Sequence, residues 1–236
     1  MTGNSANSGY TESVKGKIIG LGADLVGVAD AVPLRQLKLY PPDLLDPFPR
    51  AISMAVGLPR AVFEQIIDRP TPTYCSVYQT ANYKLNEIAL ITANTLQRDG
   101  FSSLPIPAAQ TWDRENWYGA ISHRAVGRMA GLGWQGKSLL LVNPRHGPRI
   151  RLVTVLTDAP LTVDGPIENR CGDCTLCRDA CPAEPIKGVG TKDHYKSRDE
   201  ALDVQRCVAK LDEFSRLNNV EEGICGICIK VCPFGR

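Results

Sequence analysis

Eight of the nine cysteines in this 236-residue chain fall between Cys171 and Cys232, at the spacings of metal ligands. The array opens with Cys171-x2-Cys174-x2-Cys177-x3-Cys181-Pro182 and, after Cys207, closes with Cys225-x2-Cys228-x3-Cys232-Pro233. In bacterial two-cluster proteins the first spacing gives three thiolates to one [4Fe–4S] cluster and the fourth to the other. The closing run lacks the leading cysteine of that pattern, and Cys207 stands in for it. Four thiolates per cluster use all eight. Cys171, Cys174, Cys177 and Cys232 are therefore expected to hold one cluster, and Cys181, Cys207, Cys225 and Cys228 the other. Two structural zinc sites would also consume eight thiolates, usually through separated CxxC pairs. A tight CxxCxxC triple followed by Cys-Pro suits a cubane better. A disulfide framework belongs to short secreted chains, and nothing in the sequence marks export.

The length suits one large or two modest domains with a real core. Apolar content of 43% and charged content of 22% are ordinary for a globular protein. A net charge of +2 is too small to point to nucleic acid or an anionic membrane surface. The start, MTGNSANSGYTESVKGK, has no apolar signal-peptide core. No run approaches the roughly 18 apolar residues that span a bilayer. The expectation is a cytoplasmic protein with no membrane partner. Its clusters would take single electrons from an external donor of the ferredoxin or flavodoxin type.

Ahead of the array, the pattern reads as α/β. Residues 1–12 are polar and expected to be a disordered tail, with a short helix over Ser13–Gly20. Asp24–Asp30 and Ala51–Leu58 read as buried strands, and the five prolines between residues 33 and 50 as loop. Pro70 and Pro72 predict loop between Ile67 and Tyr74. Leu85, Ile88, Ala89 and Leu96 share one face of a helix over Thr80–Arg98, stopped by Asp99-Gly100. Residues 103–110 read as extended. A helix is expected from Ser122 as N-cap to Ala130, with Gly131 at C′. Leu139–Val142 and Ile150–Thr157 look like strands. The composition change near residue 165 predicts two domains, 1–165 and 166–236.

Gly131-Leu-Gly133-Trp-Gln-Gly136 spells GxGxxG, and Asp158 follows about 20 residues on. A dinucleotide site needs a strand before the glycines and a helix after, so that pyrophosphate meets a helix N-terminus. Here a helix precedes and a strand follows, which argues against that site. The glycines still describe a loop shaped for close approach, or a tight helix-to-strand turn with Trp134 as core filler.

The stretches His123-Arg-Ala-Val-Gly-Arg-Met-Ala-Gly-Leu-Gly-Trp134-Gln-Gly136-Lys137-Ser138, Leu156-Thr-Asp158-Ala-Pro-Leu161 and Cys171-Gly-Asp-Cys-Thr-Leu-Cys-Arg-Asp-Ala-Cys181-Pro resemble epoxyqueuosine reductase. That family is related to the reductive dehalogenases. Leu21–Ala29 is similar to the opening of its catalytic domain, so the resemblance covers roughly residues 20–236. It implies a nitroreductase-like α/β domain holding cobalamin beside a ferredoxin-like two-cluster module. It also implies a corrinoid-dependent reductase of a small organic substrate. Trp134, Gly136, Lys137 and Ser138 would line the corrinoid pocket.

Three departures qualify the resemblance. The sequence ends at Arg236 without the family's helical-repeat region associated with tRNA recognition, so, with the weak net charge, no tRNA partner is expected. The family's acidic proton donor is replaced in Asn116-Trp-Tyr-Gly-Ala-Ile-Ser-His, where Tyr118 is the candidate donor and Asp113 the nearest acid. The twin-arginine signal usual in the dehalogenases is missing. A competing expectation is an electron-transfer protein that reduces a partner or its corrinoid, and a flavin on the same fold is a third. Cys75 reads as a small core residue, a cobalt ligand or a reactive thiol. His123 and Arg124 read as a cap or as ligands for an anion. His146 and His194 have no partner spacing.

Overall fold

The computed structural model describes residues 3–235. It divides into two compact units. One takes the chain up to Val56, Asn82–Leu132 and Arg151–Ile167; the other takes Gly57–Ala81, Gly133–Ile150 and the chain from Glu168 onward. The chain passes between the units for the last time after Ile167. The second unit also takes in two earlier segments that composition does not mark.

The tail reading does not hold for residues 3–12: helix α1 runs Gly3–Gly20, and residues 1–2 lie outside the described part. Thr11, Val14 and Ile18, at helical spacing, are 1%, 4% and 1% exposed, so a narrow stripe anchors an otherwise polar helix. Tyr10 adds a hydroxyl bond to Asp99 at 2.7 Å.

Strands β1 (Leu25–Asp30), β2 (Arg50–Gly57), β3 (Ser103–Ile106) and β6 (Ile150–Thr157) form one sheet in the order β1-β2-β6-β3. β1 pairs antiparallel with β2, and β3 with β6. The two central strands are buried on both faces, which explains their continuous apolar runs. Pro105 is tolerated because β3 lies at an edge. At the other edge, Asp164 accepts from the Val28 amide at 2.7 Å and from Lys15 at 2.6 Å, covering the exposed side of β1.

After the short α2 (Arg60–Glu64), helix α3 runs Pro72–Arg98, starting eight residues earlier than expected. Thr71 Oγ1 accepts from the Tyr74 amide at 3.1 Å, and Pro72 takes the first helical position, where a missing N–H costs nothing. The proline read as a breaker is a helix start. Helix α4 (His123–Met129) is capped by Ser122 as expected. Gly131 (φ 74°) closes it, with the Leu132 amide reaching back to the Gly127 carbonyl at 2.9 Å.

The second unit holds the two-residue strands β4 (Trp134–Gln135) and β5 (Leu141–Val142), paired antiparallel. Four helices follow: α5 (Leu176–Asp179), α6 (Arg198–Ala201), α7 (Val204–Phe214) and α8 (Ile227–Lys230). The expected strand at Leu139 gives way to a turn in which that residue has φ 60°. A strand, not a helix, therefore follows the GxGxxG glycines, as the ordering argument required. Asp158 accepts from the Ser102 amide at 2.8 Å, a structural role. Cys75 is a core residue at 4% exposure. Among the described residues no helix is long and apolar enough to cross a membrane.

Candidate metal centre

Short local motifs set six of the eight cysteines in place. The Cys171 amide donates to Asn169 Oδ1 at 2.9 Å, and the Cys174 amide to the Cys171 carbonyl at 3.1 Å. Cys177 lies in the single turn of α5, and the Cys181 amide closes on the Arg178 carbonyl at 3.2 Å. Asp203 caps α7 by accepting from the Arg206 amide, putting Cys207 in its first turn. Gly226, at φ 86°, turns the chain into α8 with Cys228. A side chain there would meet Ile66 Cδ1 at 2.5 Å and Tyr74 Cε1 at 2.9 Å, so this approach requires glycine.

These turns rest on an apolar bed. Leu139, Ile186, Tyr195, Ala201 and Leu202 form a buried cluster against which Cys177, Cys181, Cys207 and Cys228 pack. Burial raises the Cys177 thiol to about 11, helped by Cys171, Cys174 and Cys232. Cys228 rises well above its ordinary value through burial, then through Cys225, Cys181 and Cys207, with Cys177 the weakest neighbour. Cys177 thus feels Cys171, Cys174 and Cys232, whereas Cys228 feels thiols of both expected sets. Four thiolates so placed repel one another and are poorly hydrated. A cationic iron–sulfur core offsets both costs, as any metal does for the thiolates it binds. The donor set therefore fits two clusters. Among the described residues no three His, Cys, Asp or Glu side chains converge in the manner of a single-ion site.

The glycine loop serves the same centre. Trp134 is fully buried, with its Nε1 3.4 Å from Cys171 Sγ and the Phe234 ring edge-on at 4.7 Å. Lys137, 6% exposed, donates to the Cys174 carbonyl at 3.0 Å. A Cβ on Gly136 would stand 2.8 Å from Val142 Cγ2 and 3.8 Å from Cys171 Sγ. Ser138 alone of these four keeps part of its surface exposed. The Trp134 and Lys137 side chains are turned to the first cysteine run.

Three residues at this centre escaped the sequence reading. Asn169 Nδ2 donates to the Gln135 carbonyl at 2.9 Å while its oxygen holds the Cys171 amide. Gln135 Oε1 accepts from the Tyr195 amide at 3.0 Å. Burial first, then Cys171, Cys177 and Glu200, lift the Tyr195 phenol to about 12. An Asn two residues before a cysteine is a readable turn signal; the other two have none.

In the other unit, Tyr118 is half-buried in a turn bridged to Asp113. The Lys38 ammonium sits 4.6 Å from its ring centroid. Asp113 accepts from Tyr40 at 2.6 Å, Lys38 at 3.0 Å and the Asn116 amide at 2.9 Å, and these bonds hold its carboxyl well below the usual range. So paired, Asp113 is a poor proton donor. His123 faces inward to Thr154 Oγ1 (2.8 Å) and the Pro107 carbonyl (3.1 Å), and Arg124 is exposed. Because a carbonyl only accepts, Nε2 carries the proton and Nδ1 accepts from the threonine. His123 is a structural residue.

A family described as a 4Fe-4S double cluster binding domain matches residues 170–235. Epoxyqueuosine reductase of Bacillus subtilis (strain 168) is 34% identical over 127 residues, covering 50% of this chain and 30% of that protein. Over that stretch the chain is similar to the epoxyqueuosine reductases. A reductive dehalogenase, described with a mechanism for B12-dependent dehalogenation, superposes with TM-score 0.74 at 25% identity, over 98% of this chain and 32% of its own. An epoxyqueuosine reductase bound to a modified tRNA-Tyr stem loop superposes with TM-score 0.62 at 24% identity, over 96% and 65%. Mixed α/β architecture with a C-terminal double-cluster domain is thus the fold shared with the epoxyqueuosine reductases and dehalogenases. The matched stretch spans 30–31% of the length of these curated relatives. The expectation that tRNA is excluded as a partner is overturned, since one of these epoxyqueuosine reductases is solved on a tRNA stem loop.

Proposed function

We propose that this chain is an iron–sulfur oxidoreductase in which Cys171, Cys174, Cys177 and Cys232 hold one [4Fe–4S] cluster and Cys181, Cys207, Cys225 and Cys228 the other. The observation that carries the reading is the match of residues 170–235 to a double-cluster binding domain, supported by the packing of Cys177, Cys181, Cys207 and Cys228 against one apolar bed. When bound, the clusters supply one-electron transfer and a corrinoid supplies strongly reducing cobalt. The chain's own residues exclude water with the Leu139–Leu202 bed and fix the ligand turns through Asn169, Asp203 and Lys137. The electron source is an external carrier of the ferredoxin or flavodoxin type.

Likeness to epoxyqueuosine reductases and a dehalogenase supports reductive cleavage of a carbon–oxygen or carbon–halogen bond in an organic substrate, free or carried on a nucleic acid. Such a cleavage takes two electrons and one proton, and leaves carbon–hydrogen plus the departing anion. Tyr118 is our candidate for the proton. A second reading, an electron carrier for a partner's corrinoid, is favoured by the commitment of Trp134 and Lys137 to the cysteine run.

Anaerobic reconstitution followed by cob(II)alamin titration, read by EPR, separates the two. About eight irons per chain with stoichiometric corrinoid binding supports the reductase, and Tyr118→Phe should then lose turnover with clusters intact. Full iron without corrinoid binding supports the carrier. A chain that assembles no clusters overturns both.

A further inference from the structure

We infer that the Trp134 indole tunes one of the two clusters: its N–H donates to the Cys171 sulfur and raises the reduction potential of the cluster that Cys171 helps hold. The inference rests on the two-cluster reading and adds a positioning residue to it.

An indole N–H is a donor only, and a buried donor without an acceptor is costly. Trp134 is fully buried, and the acceptor its Nε1 meets is Cys171 Sγ at 3.4 Å. The ring cannot easily swing away. Trp134 is paired with Val142 in the β4–β5 ladder, and Phe234 closes on it edge-on at an interplanar angle of 80°. The acceptor is fixed as well, because the Asn169 side chain ties the Cys171 amide to the Gln135 carbonyl, one residue along the same strand. One side chain therefore locks donor and acceptor strands together.

Reduction places an extra electron on the cluster, and part of that charge appears on the ligating sulfurs. A fixed N–H donor strengthens as its acceptor becomes more negative, so it favours the reduced form. The Cys171 cluster is thereby held at a higher potential than it would have without the indole, which draws the electron toward that end of the pair.

The test is a potentiometric EPR titration of full-length, anaerobically reconstituted protein and its Trp134→Phe variant, which keeps a ring and removes the donor. One midpoint should fall by about tenfold in the reduction equilibrium, ~59 mV for a one-electron couple. The other should stay in place, with iron content unchanged. Two unmoved midpoints at full iron overturn the inference. Wild-type protein lacking two reducible clusters would instead overturn the two-cluster reading. Should the variant fail to hold iron, wild-type protein with 15N-indole tryptophan decides. ENDOR of the reduced cluster should show an exchangeable proton and a 15N coupling, and their absence overturns the inference.

Discussion

The buried ammonium of Lys137 donates to the carbonyl oxygen of Cys174 at 3.0 Å, tying the loop after β4 to the turn that carries the second cysteine of the array. Hydrogen bonds from charged donors are worth roughly 1.5–3 kcal/mol net. Lys137→Met keeps the aliphatic stem and removes that bond. The variant should release iron from one cluster to a chelator about tenfold faster or more. Equal release rates for the variant and wild-type protein would show that the bond is incidental.

Cys207 has no neighbour at cluster spacing in the sequence, yet it lies among the thiols that perturb Cys228. Cys207→Ser should lower the iron content from about eight to about four per chain and leave the EPR signal of the other cluster. Loss of both signals, or of neither, would refute its assignment to the set of Cys181, Cys225 and Cys228.

The double-cluster domain was legible because ligand spacing is local chemistry. The buried strands β2 and β6 and the capped helix α4 were legible for the same reason, each carrying its signal within a few residues. The glycine loop was legible only as special. Which way Trp134 and Lys137 turn depends on the two-residue pairing of β4 with β5, too short to leave a periodic trace. Helix α1 was hidden because, among its described side chains, the buried stripe is three residues and one of them is Thr11. Pro72 misled because proline breaks a helix interior but begins a helix well.

Gly136 leaves too little room for a side chain beside Val142, whose branched side chain is stiff. Gly136→Ala should destabilise the protein by about 1–3 kcal/mol through overpacking. Val142→Ala, itself costly through its cavity, should relieve part of that penalty, so the double variant should be less destabilised than the sum. Strict additivity in thermal or denaturant unfolding would show that the contact does not limit the loop.

His123 links stability to pH. Burial, with the nearby Arg151 and Arg124 charges, lowers its imidazole to about 4 despite the supporting bond to the Pro107 carbonyl. An unfolded imidazole titrates near 6.5, so as pH falls the unfolded chain takes up the proton first. The stabilisation is complete above about 6.5 and drains away as pH falls toward 4. Protonation would also put a second proton on Nδ1, which accepts from Thr154 at 2.8 Å, forcing that pair to reverse its bond. His123→Gln removes the titrating group. Its melting temperature should therefore fall less than that of wild-type protein between pH 7.5 and 5, even if it starts lower. Parallel pH profiles for the two proteins would show that the imidazole is not held neutral by this site.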